Sequence, residues 1–433
     1  MKRLSMGLMA AFSALWLGAC GQGEGVDDVG SQPQSPGEGE VATEPPPSEF
    51  GGENFVIWLD REDYGEAIIA ALNNHFPDTN FSWVLFEQVD TLTALALDGP
   101  GGLGADVLFF PHDDIHQAIA EQLVLPLGPD LSAMIQGRFH EAAVETVYDE
   151  VTGFHFGIPL STESVAMFYN RTILEAHGFE PASSFEELIQ QVEEMNDPAR
   201  NIFHLRINPG NPYDSHWALT AHGFQLFGPQ HKDPDQVNFN TPETVAGLAW
   251  LRDLRQQVLD VPAADLNDGF AAFAEGEAAY FITGPWHIAE AANGDFELGI
   301  MKIPTINGVQ PLTFSGNIIA AGSSFTSYPA LTRAVLDFLS SDEGLQILYD
   351  VRGSIPALND ASVITGLLEN PLHLGILDQA AYSHSMPIIP EMSHFWEVSG
   401  GMYSSVWDGV MTPEEAVAHA ELEYDSLRAL AGQ

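Results

Sequence analysis

Cysteine occurs once in this chain of 433 residues, at Cys20, and basic residues are scarce: 14 Lys plus Arg stand against 61 Asp plus Glu. A lone thiol excludes an internal disulfide and every metal motif built on two cysteines. A formal charge of −47 repels phosphate backbones and anionic lipid surfaces, which sets nucleic acid aside as a partner. It also strains the compact state by self-repulsion, a balance met in salt-adapted proteins. Catalytic signatures are missing too: there is no Walker loop, no G-x-S-x-G and no H-E-x-x-H. After the leader, no stretch approaches the roughly 20 apolar residues needed to span a bilayer.

The N-terminus, "MKRLSMGLMAAFSALWLGAC", has a basic start, an apolar stretch and small residues before Cys20, the pattern of an export signal. Leu17-Gly18-Ala19-Cys20 resembles the bacterial lipoprotein signal. It predicts a signal peptide over 1–19 and a lipid anchor on Cys20, at the periplasmic or outer surface of a membrane. Residues 20–52 are rich in Gly, Pro, Ser and Glu. They hold too little apolar surface to fold and predict a flexible tether.

Folded sequence begins near Asn54. "NFVIWL", "FSWVLF" and "ADVLFF" read as strands, and "YGEAIIAALNNHF" and "TLTALAL" between them read as helices. Such alternation predicts an α/β fold with a mostly parallel sheet, whose ligands bind beyond the carboxyl ends of the strands. Phe110, Pro111, His112 and Asp113 fall there. Ser184 with Glu187, Thr241-Pro242 and Thr412-Pro413 mark helix starts. In "YFITGPW" a strand stops at Gly284-Pro285, a strong stop signal. This puts Trp286 on a loop, where a large ring is hard to bury. His112 and His116, with Asp113 and Asp114 between them, have a spacing that could hold a metal. With 15 histidines in the chain, such a spacing also arises by chance, and no metal or other cofactor is predicted.

Six blocks, "FVIWLD", "ADVLFFPHDD", "GIPLSTESVAMFYN", "FAAFAEGEAAYFITGPW", "GLQIL" after "SDE", and "MPIIPEMSHFW", resemble in order and spacing the maltose/maltodextrin-binding proteins of bacterial ABC importers. These belong to the wider family of extracellular solute-binding proteins. The resemblance runs from about residue 53 to the end. It implies a two-lobe periplasmic-binding-protein-like fold of type II, with the ligand in a cleft at a hinge. The first lobe is expected at 53–162 and 318–365, the second at 166–313 and 370–433. "IPLSTES" and "TFSGNI" would cross between them, with a third connection near Gly366.

The resemblance also implies site residues. Phe110, Tyr213, Trp286 and Trp396 fall at aromatic cleft positions, Phe110 where tryptophan is more common. A flat ring can cover the C–H face of a pyranose, worth roughly 1 kcal/mol by area. The plain alternative is four packing aromatics. Glu163 matches a family acid, Asp60 a short polar position, and Met386 opens the last block. The chain departs from the pattern where Asp-Lys and Asp-Arg pairs are common, since Glu62-Asp63 and Asp113-Asp114 stand there, and Asn211 replaces an acid. Carboxylates only accept hydrogen bonds, so the donors would come from Asn211, backbone N–H groups, Trp286 or water. The extra acids fit either a changed ligand, such as an amino sugar, or salt-adapted drift. The resemblance implies a non-catalytic, monomeric binding protein that delivers an oligosaccharide to membrane permease subunits. A glycosidase using Asp113 and Glu163 and a sugar sensor are the competing readings.

Overall fold

The computed structural model describes residues 50–259 and 269–431. The leader, Cys20 and nearly all of the tether lie outside the described residues. The expected α/β architecture is present as two lobes, each around its own sheet. The first sheet starts as the sequence predicts: Asn54–Leu59, helix Glu62–His75, Asn80–Leu85, helix Thr91–Asp98 and Val107–Pro111. These three strands are parallel, with Asn54–Leu59 in the middle. Their apolar runs bury Ile57, Leu59, Val107 and Leu108 against Ile68 and Leu72 of the first helix.

The rest of this sheet departs from the expected parallel arrangement. Strand Ile158–Ser164 and the long strand Thr313–Gly322 pair antiparallel to each other, and Thr313–Gly322 runs antiparallel to Val107–Pro111. The reason lies in the path of the chain. At Val165 it leaves the first sheet and enters Ala166–Asn170, a strand of the second sheet. It returns through Thr313–Gly322, so the returning strand points the other way. Short strands Ile355–Pro356 and Ser383–Ser385 complete the sheet on Ile158–Ser164 and on the start of Thr313–Gly322.

The second sheet runs in the order Leu298–Met301, Ala166–Asn170, Tyr280–Thr283, Leu205–Arg206. Strand periodicity divides Ala166–Asn170 between two cores: Met167 and Tyr169 pack with Trp217, Tyr280 and Ile282, while Ala166 and Phe168 pack with Phe273 and Phe281. Helix starts follow local chemistry. Ser184 Oγ accepts from the Glu187 N–H, Thr241 Oγ1 from Thr244 and Thr412 Oγ1 from Glu415, each filling an orphan donor of a first turn. Among the described residues no helix is long and apolar enough to cross a membrane.

Candidate functional site

A cavity of about 400 Å³ lies where the first strand ends beside the crossing strand, lined by Asp60, Arg61, Glu87, Gln88, Glu163, Trp286, His287, Glu290 and Arg352. Its size falls within the roughly 300–1,000 Å³ of small-molecule sites. Asp60 follows Asn54–Leu59, Glu163 sits on Ile158–Ser164, and Trp286 follows Tyr280–Thr283. The wall therefore draws on both lobes.

Trp286 is placed by its neighbours. Gly284 ends the strand, and a short 3₁₀ turn, Pro285–His287, follows. The indole folds back over Gly284 so closely that a Cβ there would lie 2.2 Å from the ring. The ring is half-buried, with the Tyr213 ring 6.1 Å away. Tyr213 occupies the first turn of helix Pro212–Thr220, stacks on Phe314 of the long strand at 6.0 Å, and donates its O–H to the Glu163 carbonyl at 3.3 Å. Burial, then Glu163, Asp214 and Asp113, push its phenol well above the usual range, so it stays neutral.

Trp396 lies on helix Met392–Trp407, whose buried stripe is Met392, Phe395, Ser399, Met402 and Val406. One position off that stripe, its ring is only partly covered, packed on Phe314 and Phe395. Its Nε1–H donates to Asp113 Oδ2 at 2.7 Å, a hydrogen bond from a second-lobe helix to a first-lobe turn. Asp113 Oδ1 is buried and has no partner among the described residues. Burial, then the neighbouring Asp113 charge, raise Asp114 to about 8. Burial likewise raises Asp214 to about 7, opposed by a hydrogen bond from Asn208.

The predicted residues therefore divide. Asp60, Glu163 and Trp286 line the cavity together, and Tyr213 adjoins them. Asp113, Asp114 and Trp396 form a second cluster with the Asp113–Trp396 link. One prediction needs correction, and two further residues serve the fold. Phe110 is 0% exposed. It sits inside the first sheet opposite Ile319, so its side chain belongs to the core and presents no ring to a ligand. Asn211 is the N-cap of its helix: its Oδ1 accepts from the Tyr213 N–H at 2.9 Å, so this atom serves the fold. Met386 is buried beneath the crossing strand, where its methyl would meet a Cβ added at Gly316. Glu62 and Asp63 are exposed at the start of the first helix, and both Asp63 oxygens accept from Arg61.

His112 is buried among hydrogen bonds to the protein. Its Nδ1 accepts from the Asn317 N–H at 2.9 Å, which leaves Nε2–H to donate to the Met386 carbonyl. Burial, opposed by Asp113, lowers its pKa and keeps it neutral. Among the described residues no group of three metal-binding side chains forms.

The largest omission from the sequence reading is Arg352. Its guanidinium is 4% exposed and grips Asp60 with Nε at 3.2 Å and Nη2 at 2.9 Å, while Nη1 donates to Glu163 Oε1 at 2.8 Å. Burial alone would lower its pKa, but Asp60 and Glu163 more than offset this and hold it above the ordinary value. The cation missing from the expected pairs is thus supplied from a turn 292 residues beyond Asp60. Gln88 was also missed. Its Nε2 is buried in the cavity wall with no partner among the described residues, a donor in want of an acceptor.

The sequence profile of the family described as bacterial extracellular solute-binding protein matches residues 67–366. The chain belongs to that family. Among the relatives of this solute-binding protein is a galactooligosaccharide-binding protein of Bacillus subtilis. It is 24% identical over 432 residues, covering 97% of this chain and 96% of the relative. A maltotriose-binding protein of Pyrococcus abyssi is 25% identical over 392 residues, covering 87% and 81%. A cyclo/maltodextrin-binding protein solved with maltotetraose superimposes with a TM-score of 0.72 at 26% identity, covering 88% of this chain and 98% of that one. A Streptococcus pneumoniae protein solved with maltopentaose shares the fold, with a TM-score of 0.77 at 19% identity, covering 86% and 100%.

Proposed function

We propose that this solute-binding protein is the substrate-binding component of an ABC-type carbohydrate importer and takes a neutral oligosaccharide into the cleft beside Trp286. The observation that carries the reading is the half-buried indole, held over Gly284 in a cavity whose lining also carries the Asp60–Arg352–Glu163 cluster. An aromatic face next to fixed acceptors matches the two surfaces of a sugar ring, C–H faces and O–H rim. Similarity to galactooligosaccharide- and maltotriose-binding proteins supports the substrate class.

In this reading Tyr213 and Trp396 are the second-lobe side chains that follow ligand-driven closure. Their bonds to the Glu163 carbonyl and Asp113 span the lobes, and opening breaks them. A sugar touching both lobes shifts the population toward the closed form. Lipidation of Cys20 anchors the chain at the membrane beside its permease, and the chain acts as a monomer. Incubation with labelled maltotetraose or a labelled galactotetraose tests the proposal. Retention of intact sugar by the protein supports it. Release of shorter sugars, or no retention of either, refutes it.

A further inference from the structure

Arg352 is set into the cavity by a reversal of the chain. The helical turn Leu348–Arg352 ends at Gly353, whose φ of 77° lies in the left-handed region that favours glycine. The chain then runs into Ile355–Pro356, which pairs with Thr162 and Ser161. Arg352 and Ser354 are thereby laid along the strand that carries Glu163. The guanidinium is spoken for: Nε and Nη2 bind Asp60, and Nη1 binds Glu163 Oε1 and Ser354 Oγ. Glu163 is held unevenly. Its Oε1 accepts from Arg352 Nη1, and from Ser161 and Ser354 hydroxyls at 3.4 Å, while Oε2 accepts from none of the described residues. Glu163 lines the cavity, so Oε2 is the oxygen left for a ligand.

We infer, on the sugar-binding reading above, that Arg352 is a positioning and specificity residue: it clamps Asp60 and Glu163 so that Glu163 Oε2 faces the ligand, and it makes the site select neutral over anionic oligosaccharides. An arginine in a cleft is ordinarily a fork for carboxylate or phosphate. Here its fork is filled by the protein's own acids. Two carboxylates around one guanidinium leave the cluster at −1, so a uronate or phosphosugar meets an excess negative charge in place of a free cation. A hydroxyl finds in Oε2 a fixed charged acceptor, the stronger kind of hydrogen bond.

The test uses the full chain, calorimetric titration, and as probes maltotetraose, a galactotetraose and a galacturonate tetramer. Wild type should bind a neutral tetramer and bind the galacturonate tetramer at least about 100-fold more weakly, the scale of one close unfavourable charge contact. Arg352→Gln should weaken neutral binding by about tenfold or more, as expected for a lost charge-assisted arrangement, and Arg352→Lys should recover part of the loss. Because Arg352 acts through Glu163, the double variant Arg352→Gln/Glu163→Gln should bind about as weakly as Glu163→Gln alone. Ser161→Ala strands no charge and serves if Arg352→Gln does not fold. It should cost about threefold in affinity with an unchanged melting curve. Neutral binding unaffected by Arg352→Gln or, if that variant does not fold, by Ser161→Ala overturns the inference alone. So does galacturonate binding as tight as that of the neutral tetramer. Failure of wild type to bind either neutral tetramer overturns both this inference and the sugar reading.

Discussion

Replacing Trp286 by alanine separates a ligand platform from a packing residue. A pyranose face laid on the indole hides about 80–90 Å² of apolar surface over both partners, about 2 kcal/mol at 25 cal/mol per Å². Ring geometry adds or removes about 1 kcal/mol. Trp286→Ala should therefore weaken the best neutral oligosaccharide by about 5- to 150-fold. The cost to folding should be small, about 1 kcal/mol, because the ring is only half-buried and rests on Gly284 and Tyr213. Gly284→Ala is a companion that keeps the tryptophan but drives a Cβ into its ring, and should reproduce much of the affinity loss. Trp217 is the control: it is 0% exposed and stacked on Phe185 at 5.0 Å. Trp217→Ala should cost about 3–5 kcal/mol of stability with affinity intact in the folded fraction. Fluorescence titration and thermal melts on the three variants give both quantities. Lost stability with unchanged affinity in Trp286→Ala would refute the platform role.

Three further outcomes are expected. With 61 acids against 14 basic residues, the melting temperature should rise by several degrees between 0.1 and 1 M NaCl, as the Debye length falls from about 10 to about 3 Å; a flat curve contradicts the strain. Asp114 and Asp214 have folded pKa values raised to about 8 and about 7. The folded state keeps these two protons where the unfolded state releases them above about pH 4, so their contribution to stability falls as pH rises from about 4 to 8, while buried histidines such as His287 and His384, lowered to about 4, contribute in the opposite sense. Asp114→Asn removes one of the falling contributions, so its stability relative to wild type should rise by about 1–2 kcal/mol between pH 5 and 7 in melts, and an unchanged difference contradicts the buried proton. After expression in a bacterial host, wild type should partition into detergent while Cys20→Ser stays unprocessed; equal partitioning of a chain beginning at Asn54 counts against the anchor.

What could be read from the sequence was local. The strand Asn54–Leu59 and the helix after it follow from an apolar run and a 3.6-residue period, and Thr241-Pro242 and Thr412-Pro413 carry their own capping chemistry. Asn211-Pro212 has the same signature, and its Oδ1 caps the helix that starts there. Phe110 was misplaced. Position at a strand end does not tell which way a side chain faces; pairing with Thr313–Gly322, some 200 residues on, places it in the core. Arg352 left no local trace at all. Nothing in "VRGSIP" announces a cation that meets Asp60 and Glu163, 292 and 189 residues away in the chain; only the tertiary fold brings them together. The mixed sheet has the same origin, since strand direction depends on where the chain crosses.

Calorimetric titration of the wild-type chain with neutral tetrasaccharides decides whether the cleft beside Trp286 holds a sugar. The expected result is saturable one-to-one binding of at least one of maltotetraose and galactotetraose, a negative heat-capacity change from apolar burial, and intact sugar recovered at the end. No binding of either, or sugar cleaved during the titration, would contradict it.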